Sequence, residues 1–514
     1  AHMYGKPIAS AEAFSDVKFS QSLAELKQLA DYAYAFGINE FVGCASSHQP
    51  WLDKLPGSTG GGRHYALNRT NTFWEYSRDF WDYQNRSSFL MRQGMSVIDL
   101  CLYLGDNAPV RILTHRLPVI PAGFDFDAFS TDALFTRMEV KEGRIVLPDG
   151  VSYQMMVLPR NGEITLEALR KIASLVQAGA SVYGTRPQRS GTLHDLEHMV
   201  EYEELVNMMW GRNNTPQGCS HYGKGTVYWG MSLTDAVSKA GMMPDVTVPE
   251  KRKFYYAHRT LWDGEIYFLD NHEDTPLAHT FIFRTSKRYA ELWNPVTGKR
   301  YSLQSTLTAD GRISVPLQMA ARESYFVIFS DAQSTSQLPV KEWNMQEKKT
   351  FIQGDWTVDF SEKLGGPGKV VFTALTDWTS HKDERIKYYS GTAVYRHNLM
   401  MDDKRSESRY LLRFAKLASI ARIVLNGREV GTVWCSPWEI DITEALETGE
   451  NKLEIYVANS LMNRMIGDSM LPEDQRITYS ATSIATPGMS LIPSGIIGSV
   501  QLVRQMSASN SSDK

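Results

Sequence analysis

Glu12 closes the run Gly5-Lys6-Pro7-Ile8-Ala9-Ser10-Ala11-Glu12-Ala13-Phe14. Small and apolar residues ending on one carboxylate describe a buried strand that delivers an acid to the mouth of an α/β barrel, where such enzymes hold their reactive groups. Among Ala11, Ala13 and Phe14 the carboxylate is expected to be partly desolvated, which favours its protonated form and suits proton transfer. A structural Glu paired with an Arg across the sheet would occupy the same kind of position, so residue type and place leave both roles open. Glycoside hydrolysis is one reaction that uses such a group, ordinarily with a second carboxylate.

A second group follows in the stretch His48-Gln49-Pro50-Trp51, then His64, Asn68-Arg69-Thr70 and Trp74. Neutral hydrogen-bonding groups beside two indoles suit a polyhydroxylated ligand, whose hydroxyls are bonded edge-on while its C–H faces stack on rings. Each residue also has a plainer role open to it, in packing or, for Thr70 and Asn71, in capping the next helix. Three other clusters are weaker. His194-Asp195-Leu196-Glu197-His198 spaces two histidines by four but is not HExxH and reads as a solvated helical face. Gly57, Gly60, Gly61 and Gly62 lack the Lys-Ser/Thr that completes a phosphate loop. Cys219-Ser220-His221 has the residue types of a thiol site without the spatial pairing a nucleophile needs.

The elements that must position these groups fall into four blocks. Residues 1–93 read β-α-β-α: a strand over 7–14, a helix carrying Leu23, Leu26, Leu29, Ala33 and Phe36 and closed by Gly37, a strand over 39–45, a long loop over 46–69 and an aromatic-rich helix over 71–93. Alternating strands and helices imply a parallel sheet, and two βα units look like the end of a (β/α)8 catalytic barrel. Residues 94–250 repeat the alternation, with strands over 96–104, 153–158 and 181–184 and a helix over 165–178 capped by Gly179. The pattern is a flavodoxin-like doubly wound domain without a phosphate-binding glycine fingerprint. The period changes to two over 251–345, a small antiparallel β-sandwich. Residues 346–506 are again all-β, with a tight turn at Asn426-Gly427, as in a jelly roll. The Ser-rich tail 507–514 is expected to be disordered. The fold class is thus multidomain, α/β plus all-β.

A net charge of −4 with no basic stripe argues against nucleic acid as a partner. No window is apolar enough to span a membrane, and no signal-peptide pattern is read in these residues. Cys44, Cys101, Cys219 and Cys435 lie far apart with no CxxC pair, which argues against a zinc site or a disulfide framework. The 12 Trp and 24 Tyr suit either sugar platforms or large β-sandwiches and decide nothing alone.

The segments His2-Met3-Tyr4-Gly5-Lys6-Pro7, Ala11-Glu12-Ala13-Phe14, Phe36-Gly37-Ile38-Asn39, His48-Gln49-Pro50, Asn68-Arg69, Thr72-Phe73-Trp74 and Arg92-Gln93-Gly94 resemble glycoside hydrolase family 106, which contains α-L-rhamnosidases. Residues 389–395, Asn426-Gly427-Arg428-Glu429-Val430-Gly431-Thr432-Val433-Trp434, Pro437-Trp438 and Asn463-Arg464-Met465-Ile466-Gly467-Asp468 resemble the jelly-roll sugar-binding domain shared with family 2 hydrolases. The resemblance implies inverting hydrolysis of terminal α-L-rhamnosyl bonds in a rhamnose-containing oligosaccharide or polysaccharide. It also implies a calcium ion that holds sugar hydroxyls, its ligands not located, and Glu12 as the general base. The family's general acid is expected in a barrel half that precedes residue 1. By analogy the protein is periplasmic or secreted. A non-catalytic carbohydrate-binding scaffold and a β-galactosidase- or β-glucuronidase-like hydrolase stand as alternatives.

Overall fold

The computed structural model describes residues 1–15, 17–43, 46–59, 66–106, 112, 117–213, 215–333 and 337–506. Its opening strand is short. β1 (Ser10–Glu12) pairs in parallel with β2 (Glu40–Val42), in the register Ser10↔Glu40 and Glu12↔Val42, as a two-stranded sheet. The expected buried strand over 7–14 is therefore three residues long, and Glu12 is exposed. Between the strands runs α1 (Leu23–Ala35), started by a capping box in which Ser22 and Glu25 exchange side-chain-to-backbone hydrogen bonds. Its buried face is Leu23, Leu26, Lys27, Ala30, Asp31 and Tyr34. Leu29 and Phe36 lie outside this stripe and are more than half exposed, unlike the sequence reading. The aromatic segment divides into a 3₁₀ turn, Trp74–Tyr76, and α2 (Arg78–Met91).

These first residues have no core of their own. Leu26, Tyr34, Phe80 and Tyr83 pack in one cluster with Phe268 and Phe326 of the antiparallel unit and with Trp434, Met462 and Ile466 of the C-terminal unit. Tyr83 and Phe80 both meet the Trp434 indole, at ring separations of 5.8 and 5.6 Å. A buried polar knot adds to this contact. Lys27 Nζ donates to Asp31 Oδ2 at 2.6 Å and to Ser324 Oγ at 3.0 Å, Ser324 Oγ donates to Asp31 Oδ1 at 2.9 Å, and Tyr83 OH also donates to Asp31. Burial opposes the charge on Lys27, yet Asp31 outweighs it and holds the ammonium above the ordinary lysine range.

The next unit is a six-stranded sheet around β5 (Leu100–Tyr103), β6 (Phe126–Phe129), Met155–Val157, Ser181–Tyr183 and Gly225–Trp229. These five are parallel, in the spatial order 2-1-3-4-5, with Gly218–Tyr222 added antiparallel at one edge. Helix Leu166–Ala178 covers one face, its Thr165 hydroxyl accepting from Ala168 N and Gly179 ending it at φ 130°. The strand expected over 96–104 is split. β4 (Met95–Ser96) joins the antiparallel sheet through Arg259↔Ser96, and only β5 enters the parallel one. The antiparallel unit packs its own six-stranded sheet, which includes Phe254–Thr260, Gly264–Asn271 and Ser324–Ser330, on a three-stranded one built around Leu277–Phe283 and Ile313–Met319. The C-terminal unit packs a four-stranded on a six-stranded sheet, and Asn426-Gly427, both at positive φ, make the predicted turn between Ile420–Leu425 and Arg428–Val433. No helix among the described residues is long and apolar enough to cross a membrane.

Candidate active site

Glu12 is set by its neighbours in sequence and by one buried amide. Asn39 Nδ2 donates to Pro7 O at 2.9 Å, Asn39 Oδ1 accepts from Ala9 N at 2.9 Å, and Asn39 O accepts from Ser88 Oγ at 2.7 Å. One residue, through its side chain and its carbonyl, thus ties the approach to β1 to β2 and α2. Two residues after Glu12 the chain turns at Phe14, a non-glycine residue at φ 61°. A left-handed backbone at such a residue costs of order 1–3 kcal/mol and persists only where its surroundings compel it. Here the Phe14 ring is caught between Phe41 and Phe80, at 5.2 and 6.4 Å. Glu12 is exposed at the end of β1, not buried as the sequence reading expects.

The loop residues come together as a second body. Gln49 Nε2 donates to Thr70 Oγ1 at 2.5 Å and to Pro56 O at 2.7 Å, with Asn68 Oδ1 at 3.3 Å. Arg69 Nη2 donates to Gln49 O at 2.9 Å. Asn68 Oδ1 takes Thr70 N at 2.9 Å. His48 meets Thr59 through Nδ1 at 3.2 Å. Trp51 packs edge-on against Tyr479 at 5.1 Å, and the Lys54 ammonium lies 3.9 Å from the Tyr479 ring centre. Trp74 stands half-buried beside Trp81, at 6.1 Å. Ala66 N donates to Val17 O at 3.3 Å, which seats the returning end of the loop against the segment that follows Glu12. His64 lies outside the described residues.

Residues that the sequence reading passed over supply the brace. β3 (Leu55–Ser58) pairs in parallel with Thr478–Ser480 of the C-terminal unit. That strand is pinned by Asp468, whose Oδ2 accepts from Thr478 N at 2.7 Å, Thr478 Oγ1 at 2.6 Å and Ile477 N at 3.1 Å. Asp468 is itself paired with Arg464 at 2.8 Å inside the buried helix Met462–Asp468. The signal lay in Asn463–Asp468, quoted above only as part of a resemblance. A helix in one unit therefore holds a loop in another, about 400 residues earlier in the chain.

The discounted clusters stay apart from this site. His194 and His198 are exposed on a 3₁₀ turn, and Cys219 is half-buried on the edge strand Gly218–Tyr222. Among the described residues no three His, Cys, Asp or Glu side chains gather in a way that would hold a metal ion. Cys101, Cys219 and Cys435 are free thiols. Cys44 lies outside the described residues.

A short strand ending on an exposed carboxylate, a braced aromatic loop and two β-sandwiches make up a multidomain protein. The α-L-rhamnosidase model of glycoside hydrolase family 106 matches residues 1–306, and a model described as the galactose-binding-like domain of family 2 glycosyl hydrolases matches residues 375–481. The chain belongs to family 106. The structure of a rhamnosidase from Novosphingobium sp. PP1Y superposes with a TM-score of 0.87 at 30% identity, over 98% of this chain and 48% of that one. A putative β-glucuronidase of Formosa agariphila is 24% identical, over 92% of this chain and 59% of the relative. The chain thus spans about half the length of the proteins it matches.

Proposed function

We propose that this chain serves the inverting hydrolysis of terminal α-L-rhamnosyl bonds in plant or microbial glycans, with Glu12 as general base. The observation that carries the reading is the position of Glu12: at the end of β1, within the family 106 match, beside the returning loop. Glu12 takes a proton from the water that attacks the anomeric carbon, on the face opposite the departing oxygen. A second carboxyl group, roughly 6.5–9.5 Å away in inverting enzymes, protonates that oxygen. Gln49 Oε1 makes no hydrogen bond with a described residue and is free to accept from a sugar hydroxyl, and Trp51 and Trp74 offer ring faces. His48, Asn68, Arg69 and His64 complete the proposed lining. On topological grounds we read the β1–α1–β2–α2 segment as closing units of a (β/α)8 barrel and the 2-1-3-4-5 sheet as flavodoxin-like. Export to the periplasm is proposed by analogy with glycan-degrading enzymes.

The test is release of the aryl group from an aryl α-L-rhamnoside, with rhamnose binding measured in parallel. Glu12→Gln is expected to lower kcat by a factor of about 10² or more while leaving the rhamnose Kd nearly unchanged. Equal turnover in the variant removes Glu12 from the mechanism. The exposure of Glu12 favours one second reading, a sugar-binding scaffold without turnover. Rhamnose binding with no aryl release supports that scaffold, and release from an aryl β-glucuronide or β-galactoside alone overturns the rhamnosidase reading.

A further inference from the structure

Away from Glu12, the edge strand Arg300–Leu303 of the antiparallel sandwich faces the edge strand Glu439–Asp441 of the C-terminal one. Two adjoining cavities, of about 580 and 550 Å³, open between them. Lys299, Glu407, Arg409 and Asp441 line both, so they form one cleft with two lobes. Each lobe falls in the range of small-molecule sites, roughly 300–1,000 Å³. No residue from the first 93 contributes to it.

Acids and bases are equal in number along this cleft, but two of its cations, Lys341 and Arg409, are incompletely engaged. Asp441 serves two cations, Arg409 Nε at 2.8 Å and Lys299 Nζ at 3.7 Å. Among the described residues Arg409 is hydrogen-bonded through Nε alone, which leaves both terminal nitrogens of the guanidinium without a described partner. Lys341 has no carboxylate within ion-pair distance among the described residues. Its ammonium instead rests over two rings, 4.9 Å from Tyr301 and 5.0 Å from Trp343. Its backbone is fixed as well, because Lys341 N donates to Ser302 O at 2.9 Å and Ser302 N to Pro339 O at 3.0 Å. Burial, with repulsion from Arg409 and Lys299, lowers the Lys341 pKa against the pull of Glu323 and Glu439. An anion placed between Lys341 and Arg409 would relieve that repulsion.

We propose that this cleft binds an anionic oligosaccharide, with a sugar carboxylate or sulfate held between Lys341 and Arg409. A lone inorganic anion would meet the charge but leave the two lobes empty. The second lobe is lined by Ser406 and Ser408 with the carboxylates Glu407, Glu429, Asp441 and Glu444 and the cation Arg428, a polar surface whose acceptors fit ring hydroxyls. The site would hold an acidic glycan on the protein independently of any chemistry at Glu12.

Calorimetric titration of the full chain at low salt tests this with four probes: an oligogalacturonate, a sulfated galactan oligomer, neutral maltohexaose and poly-glutamate. Binding of either anionic sugar, and its weakening by added salt, is expected, and the sugar that binds identifies the acid group. The double variant Lys341→Gln/Arg409→Gln is expected to weaken it about tenfold or more. Glu342→Lys, which adds a cation at the exposed rim, should tighten binding and guards against loss through misfolding. The proposal is overturned if neither anionic sugar binds, if maltohexaose or poly-glutamate binds equally well, or if binding survives in a folded double variant.

Discussion

His258 is expected to make the stability of this protein fall as pH rises above neutrality. The ring is buried between two carboxylates, with Nδ1 2.9 Å from Asp245 Oδ2 and Nε2 2.9 Å from Glu265 Oε2. It stacks on Tyr267 at 3.8 Å, and Arg284 bridges Asp245 to Asp99 at 3.2 and 2.7 Å. Burial opposes a charge on the ring, but Asp245 and Glu265 outweigh it and raise the pKa to about 9. In the unfolded chain the value is roughly 6.5. A pKa raised in the folded state stabilises fully below the unfolded value, and that contribution is lost as pH climbs through the folded one. The window therefore runs from about 6.5 to about 9. A shift of about 2.5 units, at about 1.4 kcal/mol each, amounts to ~3 kcal/mol lost across it. Guanidinium unfolding at pH 6, 7.5 and 9.5, on the parent and on His258→Gln, measures this directly. The parent should lose about 3 kcal/mol more than the variant over that span. Parallel pH profiles for the two proteins would refute the assignment of a charged, doubly paired imidazole.

Two further outcomes follow from packing. Asp31→Ala strands the buried Lys27 ammonium and should cost about 3–5 kcal/mol, whereas Lys27→Met/Asp31→Leu should cost much less; denaturant midpoints of the three proteins decide it, and equal losses would contradict the ion-pair account. Gly94 sits at φ 58°, and a Cβ there would lie 2.0 Å from Thr260 O, so Gly94→Ala should detach β4 from its partner and lower the melting temperature by several degrees, with hydrogen exchange at Val97 N as the local readout.

Local periodicity made much of this fold readable. Thr165 and Gly179 bracket a helix whose buried stripe is written in Leu166, Leu169, Ile172 and Val176, and Asn426-Gly427 supplies both left-handed residues its turn requires. Long-range pairing was not readable in this way. Met95–Ser96 adjoin β5 in sequence, yet they pair with Phe254–Thr260, since nothing local distinguishes an edge partner some 160 residues away. In α1 the apolar spacing of Leu29 and Phe36 suggests a buried face. The helix instead turns Lys27 and Asp31 inward, because Ser324 and Tyr83 supply the hydrogen bonds that make a buried ion pair tolerable.

The same division runs through the proposed site. Glu12, Gln49, Trp51 and Arg69 announce themselves by residue type within one short stretch. What holds the loop that carries Gln49, Trp51 and Arg69 is Asp468 and Tyr479, residues with no chemical signature of their own. Asp468 matters because its carboxylate accepts three hydrogen bonds from Ile477 and Thr478, and Tyr479 because Trp51 and Lys54 pack on its ring. A carboxylate satisfied by backbone donors inside a folded unit cannot be told from a solvated one in sequence. The loop that faces the proposed substrate is consequently only as rigid as the C-terminal sandwich, and this gives a family 106 chain a physical reason to carry a family 2-type domain whose own sugar-binding role is not required for the brace to work.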